Sequence, residues 1–89
     1  MNEIVLTLVH ELKDGATEER DVFGTLSSAG QSEFFKASQN NMQAQLKITI
    51  WQSDYDGERK AIVNGEVFDI YRTFIVSDKI ELFLGQRID

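Results

Sequence analysis

The sequence predicts a mainly β protein: a small antiparallel β-barrel or sandwich of about six strands, with one short helix inserted between strands 2 and 3. Apolar and polar residues alternate over several short stretches, which is the period of a strand with one buried face. Glycine, asparagine and aspartate residues separate these stretches as turn signals. With 89 residues, 42% of them hydrophobic, the chain can form one core and therefore one domain, residues 1–89.

The first predicted strand covers residues 4–12, where Ile4, Leu6 and Leu8 share one side. Lys13-Asp14-Gly15 is a turn signal, and a second strand follows at residues 20–26. The N-terminal quarter therefore predicts two strands joined by a turn.

One segment departs from the strand pattern and indicates a helix. Ser32 can cap a helix start, and Glu33 lies in the first turn that follows, where an acidic residue is favoured. Phe34 and Ala37 then fall on one face of the helix. We expect a helix near residues 32–40, within a long connection between the second and third strands.

Four further strands are expected, at residues 44–52, 60–63, 66–76 and 79–84. Asn64-Gly65 separates two of them and is the strongest short hairpin signal, because both turn positions need a positive φ. Ser77-Asp78 is expected to turn the chain into the last strand.

Alternation assigns the large apolar side chains to two faces. The predicted core contains Leu6, Leu8, Leu46, Ile48, Ile50, Phe68, Ile70, Phe74, Ile80, Leu82 and Leu84. The opposite faces carry Val5, Val9, Trp51, Tyr71, Ile75 and Phe83. So many large side chains outside the core indicate either a cover by the Phe34/Phe35 helix or a subunit interface, where aromatic residues and arginine are enriched. Arg72 falls in the core register of its strand, which indicates a bulge, a barrel end or an ion pair.

The acidic stretch from Asp54 to Glu58 has two interpretations, a metal-binding loop or a turn. An EF-hand loop needs oxygen ligands at fixed positions and a glycine at position 6. Counting from Asp54, Gly57 is fourth, and the flanking segments are predicted strands rather than helices. We therefore predict a turn between the third and fourth strands and no metal site.

Composition argues against several functional classes. Nine basic residues against fifteen acidic ones leave a net charge of −6, whereas duplex DNA is bound mainly through lysine and arginine. The absence of cysteine excludes disulfides and cysteine metal sites. The N-terminus lacks the basic region of a signal peptide, and no apolar run approaches the roughly 20 residues that span a bilayer. We expect a cytoplasmically made protein with neither specific nucleic-acid binding nor a membrane partner.

Catalytic signatures are equally weak. The only histidine, His10, is expected as a half-exposed residue of the first strand. No nucleophile elbow and no phosphate-binding glycine loop occurs in the sequence. We therefore expect a protein that is not an enzyme, with no catalytic residues and no cofactor.

The order of several motifs resembles one known family. "VLTLV" is followed by "SEFFKA", then by "LKITIW" and "DYDGE", and finally by "NGEVFDIYRTF" and "DKIELF". This order resembles the small head–tail connector proteins of tailed bacteriophages. The likeness is greatest to the head-closure (head–tail joining, or stopper) proteins of siphophages and prophages of Gram-positive bacteria, and it covers nearly the whole chain.

The resemblance implies a small β-barrel that is neither an enzyme nor a cofactor carrier. Such proteins form a homo-oligomeric ring below the portal and its adaptor after DNA packaging, seal the channel and dock the tail. The implied partners are the portal–adaptor ring and tail proteins. The protein would be made in the cytoplasm of the bacterial host and reside in the virion, and both a monomer and a ring stay open for its free form.

Ring and partner contacts are expected in the long connection and among the aromatic residues outside the core. The candidate interface residues are Glu33, Phe34, Phe35, Met42, Trp51, Tyr71, Arg72 and Phe83. Three alternatives stay open: a tail-side completion or terminator protein, an OB-like single-stranded nucleic-acid-binding module, and a metal-assisted hydrolase. The nucleic-acid module would stack bases on surface aromatics but needs a basic groove. The hydrolase would use Asp54, Asp56 and Glu58.

Overall fold

The computed structural model describes residues 2–28 and 42–87, which form a closed antiparallel barrel. Its strands are β1 (Asn2–Glu11), β2 (Thr17–Ser28), β3 (Met42–Trp51), β4 (Lys60–Val63), β5 (Glu66–Val76) and β6 (Lys79–Arg87). They are arranged in the order β1-β2-β3-β6-β5-β4, and β4 pairs with β1 to close the barrel. The predicted β class and strand count are confirmed. The helix predicted at residues 32–40 lies outside the described residues.

The turns follow the local sequence signals. Between β1 and β2, the Leu12 amide donates to the Ala16 carbonyl at 2.8 Å, and the Gly15 amide donates to the Leu12 carbonyl at 3.1 Å. Asn64 and Gly65 have φ values of 52° and 79° between β4 and β5, as the Asn-Gly signal predicts. A 3-10 turn at Gln52–Asp54 follows β3, and it is the one helical element among residues 2–28 and 42–87. No helix in this part of the chain is long and apolar enough to cross a membrane.

The core lies inside the barrel and receives side chains from all six strands. Its buried members are Leu6, Leu8, Val22, Ile48, Ile50, Ala61, Val63, Phe68, Ile80, Leu82 and Leu84. Leu46 and Ile70 are partly buried against this cluster. Ten of the predicted core residues therefore point into the barrel, because the two-residue period of each strand is kept over most of its length.

The predicted core position of Phe74 is wrong, because its side chain is 53% exposed. The pairing of β5 with β6 shifts between Ile70 and Arg72, so that Tyr71 is an extra residue in β5. A bulge of one residue reverses the faces of every residue that follows it in the strand. Phe74 and Arg72 therefore lie on the outer face, where uninterrupted alternation from Phe68 would have placed both in the core.

Candidate interaction surface

A row of apolar side chains crosses the outside of the barrel near the level of the β5–β6 turn. Val5 of β1 lies directly opposite Phe23 of β2, and Val76 of β5 lies opposite Lys79 of β6. Trp51 of β3 is paired with Lys79, whose ammonium lies 5.1 Å from the centroid of the indole ring. We call Val5, Phe23, Trp51, Lys79 and Val76 the outer belt; it spans five of the six strands.

The belt residues are exposed to an unusual degree for large apolar side chains. Phe23 is 75% exposed and Trp51 is 51% exposed, while Val5 and Val76 are about half exposed. Alternation explains their direction, because Phe23 lies between the inward-facing residues Val22 and Gly24. A row of exposed apolar side chains on a small domain is a mark of an interaction site.

A groove of about 220 Å³ opens in the belt between β2 and β3. It is lined by Glu3, Phe23, Gly24, Thr25, Thr49, Ile50, Trp51 and Lys79. The pairing of these two strands reaches Thr25 and Thr49 and goes no further toward Phe23 and Trp51. The groove therefore lies where the strands separate and is flanked by two aromatic rings.

The row next to the belt is polar from β1 to β6 and ends at the exposed Phe74 of β5, which lies opposite Glu81. Glu3 lies opposite Thr25, Thr25 opposite Thr49, and Thr49 opposite Glu81. Glu81 forms an ion pair with Lys47 at 3.5 Å. The aromatic belt is thus bordered by carboxylates, which disfavours a polyanionic partner at this place.

Phe83, Tyr71 and Arg72 form a second cluster on the outer face. The Arg72 guanidinium carbon lies 4.1 Å from the centroid of the Phe83 ring, and the Tyr71 ring centroid lies 6.4 Å from it. Phe83 lies on the outer face, as its register predicts, and yet it is only 6% exposed. A residue on the outer face of the barrel is here covered by its neighbours, because the bulge directs Tyr71 and Arg72 to the same face.

The other predicted interface residues lie in different parts of the chain. Trp51 belongs to the belt, and Met42 begins β3 opposite Arg87. Glu33, Phe34 and Phe35 lie outside the described residues. Sequence reasoning placed Val5 on the outer face without selecting it as a candidate, and it did not consider Phe23 or Val76. The signal for Phe23 was available, since an aromatic residue between an inward valine and an inward glycine must face outward.

The acidic stretch is organised by Glu58, a carboxylate that is only 4% exposed. Its Oε2 accepts a hydrogen bond from Arg20 Nη2 at 2.7 Å, and its Oε1 accepts one from the Asp56 amide at 2.7 Å. Burial by itself raises the pKa of Glu58, but the Asp56 amide and the Arg20 guanidinium outweigh burial and hold this pKa below its ordinary value. The carboxylate is thus an anion that ties the loop to β2.

The loop between β3 and β4 is therefore a turn, as predicted. Gly57 has a φ of 79°, and the Tyr55 hydroxyl donates to the Glu58 carbonyl at 2.7 Å. Burial and the nearby Glu58 charge raise the pKa of Tyr55. Residues 2–28 and 42–87 contain no group of three or more histidine, cysteine or acidic residues arranged to hold a metal ion. His10 is half-buried in β1 beside this loop.

No family model matches the chain, and no curated protein matches it. The outer belt is therefore interpreted from its own chemistry and from the sequence resemblance.

Proposed function

We propose that this protein is a structural subunit of a bacteriophage head–tail connector, of the head-closure type that the sequence resembles. In this role it forms a ring below the portal–adaptor complex, seals the channel that holds the packaged DNA and docks the tail. The observation that carries the proposal furthest is the outer belt, which offers two exposed aromatic rings on a small closed barrel. Such side chains are enriched at the centre of protein interfaces.

The charge of the molecule supports the same role. A net charge of −6 gives a ring of such subunits a strongly acidic character. DNA that must leave through the channel would be repelled by an acidic lining rather than retained by it. The combination of apolar contacts between proteins and repulsion toward DNA suits a connector.

A second candidate is the single-stranded nucleic-acid module. Phe23 and Trp51 flank a groove that also contains Lys79, and base stacking on aromatic rings is the usual basis of such binding. Glu3 lines the same groove, and no basic row accompanies it among the described residues. The connector therefore agrees better with the charges around the belt.

The test uses DNA-filled, tailless heads of a related phage that lacks its closure protein. We expect the purified protein to add a ring at the portal vertex, to retain DNA and to permit tail attachment, as scored by electron microscopy. Phe23→Ser and Trp51→Ser should fold and yet fail to join heads to tails. Val67→Ser is the matched control, because Val67 is 54% exposed and lies outside the belt.

Three other outcomes would contradict part or all of this proposal. Binding to isolated tails but not to heads would identify a tail-side connector and overturn head closure. Binding to neither, together with tight binding of an oligothymidine at low salt, would support the nucleic-acid module instead. Belt variants that join heads and tails as well as the wild type would remove the belt from the interface.

A further inference from the structure

Among residues 2–28 and 42–87, the outer segment of β5 has no strand partner along one of its edges. β4 pairs with β5 only over Glu66–Asp69, and the Ile70 amide then donates to the Arg59 carbonyl. From Thr73 to Val76, β6 is the one strand partner that β5 has among the described residues. Phe74, Ile75 and Val76 are all about half exposed, although strand neighbours normally alternate. This segment is therefore an exposed apolar edge, a form that readily accepts another strand.

The backbone groups on this edge can be identified from the register. Val76 and Lys79 flank the two-residue turn at Ser77-Asp78 and close the hairpin. The closing pair of such a hairpin is hydrogen-bonded, and hydrogen-bonded pairs alternate along an antiparallel ladder. The amide and carbonyl groups of Thr73 and Ile75 therefore point away from β6, toward the open side.

A second edge without a strand partner among the described residues lies on β2. This strand pairs with β1 from Thr17 to Leu26 but with β3 only from Thr25 onward. The hydrogen bond from the Leu12 amide to the Ala16 carbonyl sets the alternation of the β1–β2 hairpin. By that alternation, the backbone groups of Glu19, Asp21 and Phe23 point away from β1, toward the side that β3 leaves open.

The two edges lie on opposite walls of the barrel. β2 and β5 are separated by two strands in either direction around the order β1-β2-β3-β6-β5-β4. The open side of β2 faces β3, and the open side of β5 faces β4. Both sides therefore face the same way around the barrel axis. Because the two strands lie on opposite walls, their open edges point in opposite directions in space. β2 and β5 also run antiparallel to one another. Copies placed side by side with the same end upward would therefore meet in an antiparallel pairing.

Charge favours unlike edges over like edges. The β2 edge carries Glu18, Glu19 and Asp21, while Arg20 is held by Glu58. The β5 edge begins beside Arg59, which is exposed. Pairing β2 with β2 would bring carboxylates together, whereas pairing β5 with β2 brings opposite charges together.

We propose that copies of this chain associate head to tail by pairing residues 73–76 of one copy with residues 19–23 of the next, as an antiparallel extension of the sheet. The proposal rests on the proposed function in that it describes how the connector ring is built. Backbone hydrogen bonds supply the contact, and the apolar side chains of the β5 segment are buried by it. The contact is heterologous, so it forms a ring when the rotation between copies closes.

Cysteine trapping tests the pairing directly, because the chain has no cysteine of its own. Thr73→Cys and Ile75→Cys are each mixed with Glu19→Cys and Asp21→Cys at high protein concentration under mild oxidation. We expect at least one mixture to form a disulfide-linked dimer several-fold more abundantly than either protein alone. The background is set by Glu66→Cys, since Glu66 is exposed beside the Asn64-Gly65 turn at the other end of the barrel.

A result that overturns the pairing is equally clear. Cross-linking of Ile75→Cys alone as efficiently as in the mixtures would indicate symmetric β5–β5 pairing instead. If the yield of disulfide-linked dimer in every mixture is no higher than the yield with Glu66→Cys, both the β5–β2 pairing and the symmetric β5–β5 pairing are excluded.

A substitution series separates this proposal from the connector role. Ile75→Glu places a carboxylate on the β5 edge opposite the acidic β2 edge and should abolish trapping between Thr73→Cys and the β2 cysteines, whereas Val67→Glu should not. If trapping stays at background while the wild type still closes heads, the edge pairing is wrong and the connector role stands. If trapping succeeds but heads and tails are not bound, the pairing stands and the connector role is wrong.

Discussion

Among the acidic residues from Asp54 to Glu58, Glu58 is the one that we expect to contribute most to the free energy of unfolding. It is buried, and both of its carboxylate oxygens accept hydrogen bonds, from the Arg20 guanidinium and the Asp56 amide. Hydrogen bonds to a charged group contribute about 1.5–3 kcal/mol each, and removal leaves partners without compensation. We therefore expect Glu58→Gln to lower the free energy of unfolding at pH 7 by about 2 kcal/mol, measured by urea denaturation.

The lowered pKa of Glu58 also predicts a pH dependence. Because its pKa is lower in the folded state than its ordinary value of 4.5, the unfolded state binds more protons as the pH falls. The stabilisation by Glu58 is therefore complete above the ordinary pKa and is lost as the pH falls through the folded-state pKa. The difference in unfolding free energy between wild type and Glu58→Gln should shrink in that range. Glu66→Gln is the control, and an equal shrinkage there would contradict the assignment.

Gly24 is required by the narrow interior of the barrel. A Cβ atom at this position would lie 2.7 Å from Ile48 Cγ2 and 2.9 Å from Ile50 Cγ2, both far below van der Waals contact. Branched methyl groups of buried strand residues have little freedom to move. We expect Gly24→Ala to destabilise the fold by about 1–3 kcal/mol in thermal or urea unfolding. Phe23→Ala, on the outer face next to it, should cost far less; equal losses would mean that the barrel wall adjusts.

At the scale of the elements, the bulge at Tyr71 decides which aromatic residues of β5 belong to the core. Phe68 precedes the bulge and is buried, whereas Phe74 follows it and is half exposed. We expect Phe68→Ala to cost about 3–5 kcal/mol. Phe74→Ala should change stability by less than about 0.5 kcal/mol, as for other surface positions. Urea denaturation of both variants measures the difference, and a large loss in Phe74→Ala would place its ring inside the barrel.

The strands and turns could be predicted from the sequence because their signals are local. Alternation identified the six strands, and Asn64-Gly65 identified one hairpin, whose positive φ values few other residues adopt without strain. The bulge could not be located in this way. Arg72 in a core register indicated an irregularity, but the pairing of β5 with β6 determines which residue is the extra one.

The candidate surface was predictable only in part, for a related reason. Trp51 was selected because it is a large residue in an outward register, and it is half exposed. Phe83 has the same register and is nevertheless covered, because the bulge brings Tyr71 and Arg72 over it. Exposure of an outward residue depends on its neighbours across the strands, which the sequence alone does not align.

At the scale of the whole molecule, the barrel divides its surface between two kinds of contact. The outer belt crosses β1, β2, β3, β6 and β5 with side chains. The open backbone edges on β2 and β5 lie on opposite walls. In the proposed connector, each subunit binds copies of itself through these edges and still presents part of the belt to other proteins. The acidic balance of the chain would then disfavour retention of DNA by the proposed ring.

The single tryptophan allows this division to be followed during assembly. Trp51 is the only tryptophan of the chain, lies at the centre of the belt and is half exposed in the free protein. When the belt is covered by a protein partner, the indole leaves water, so its emission should shift to shorter wavelength and its quenching by acrylamide should fall. The measurement compares the emission of the free protein with that of the protein bound to heads. The emission of heads alone is subtracted, because the head proteins contain tryptophans of their own. Glu66→Gln serves as a variant that should behave as the wild type. Bound protein, verified by sedimentation, with unchanged emission and quenching would show that the belt stays in contact with water and is not the docking surface.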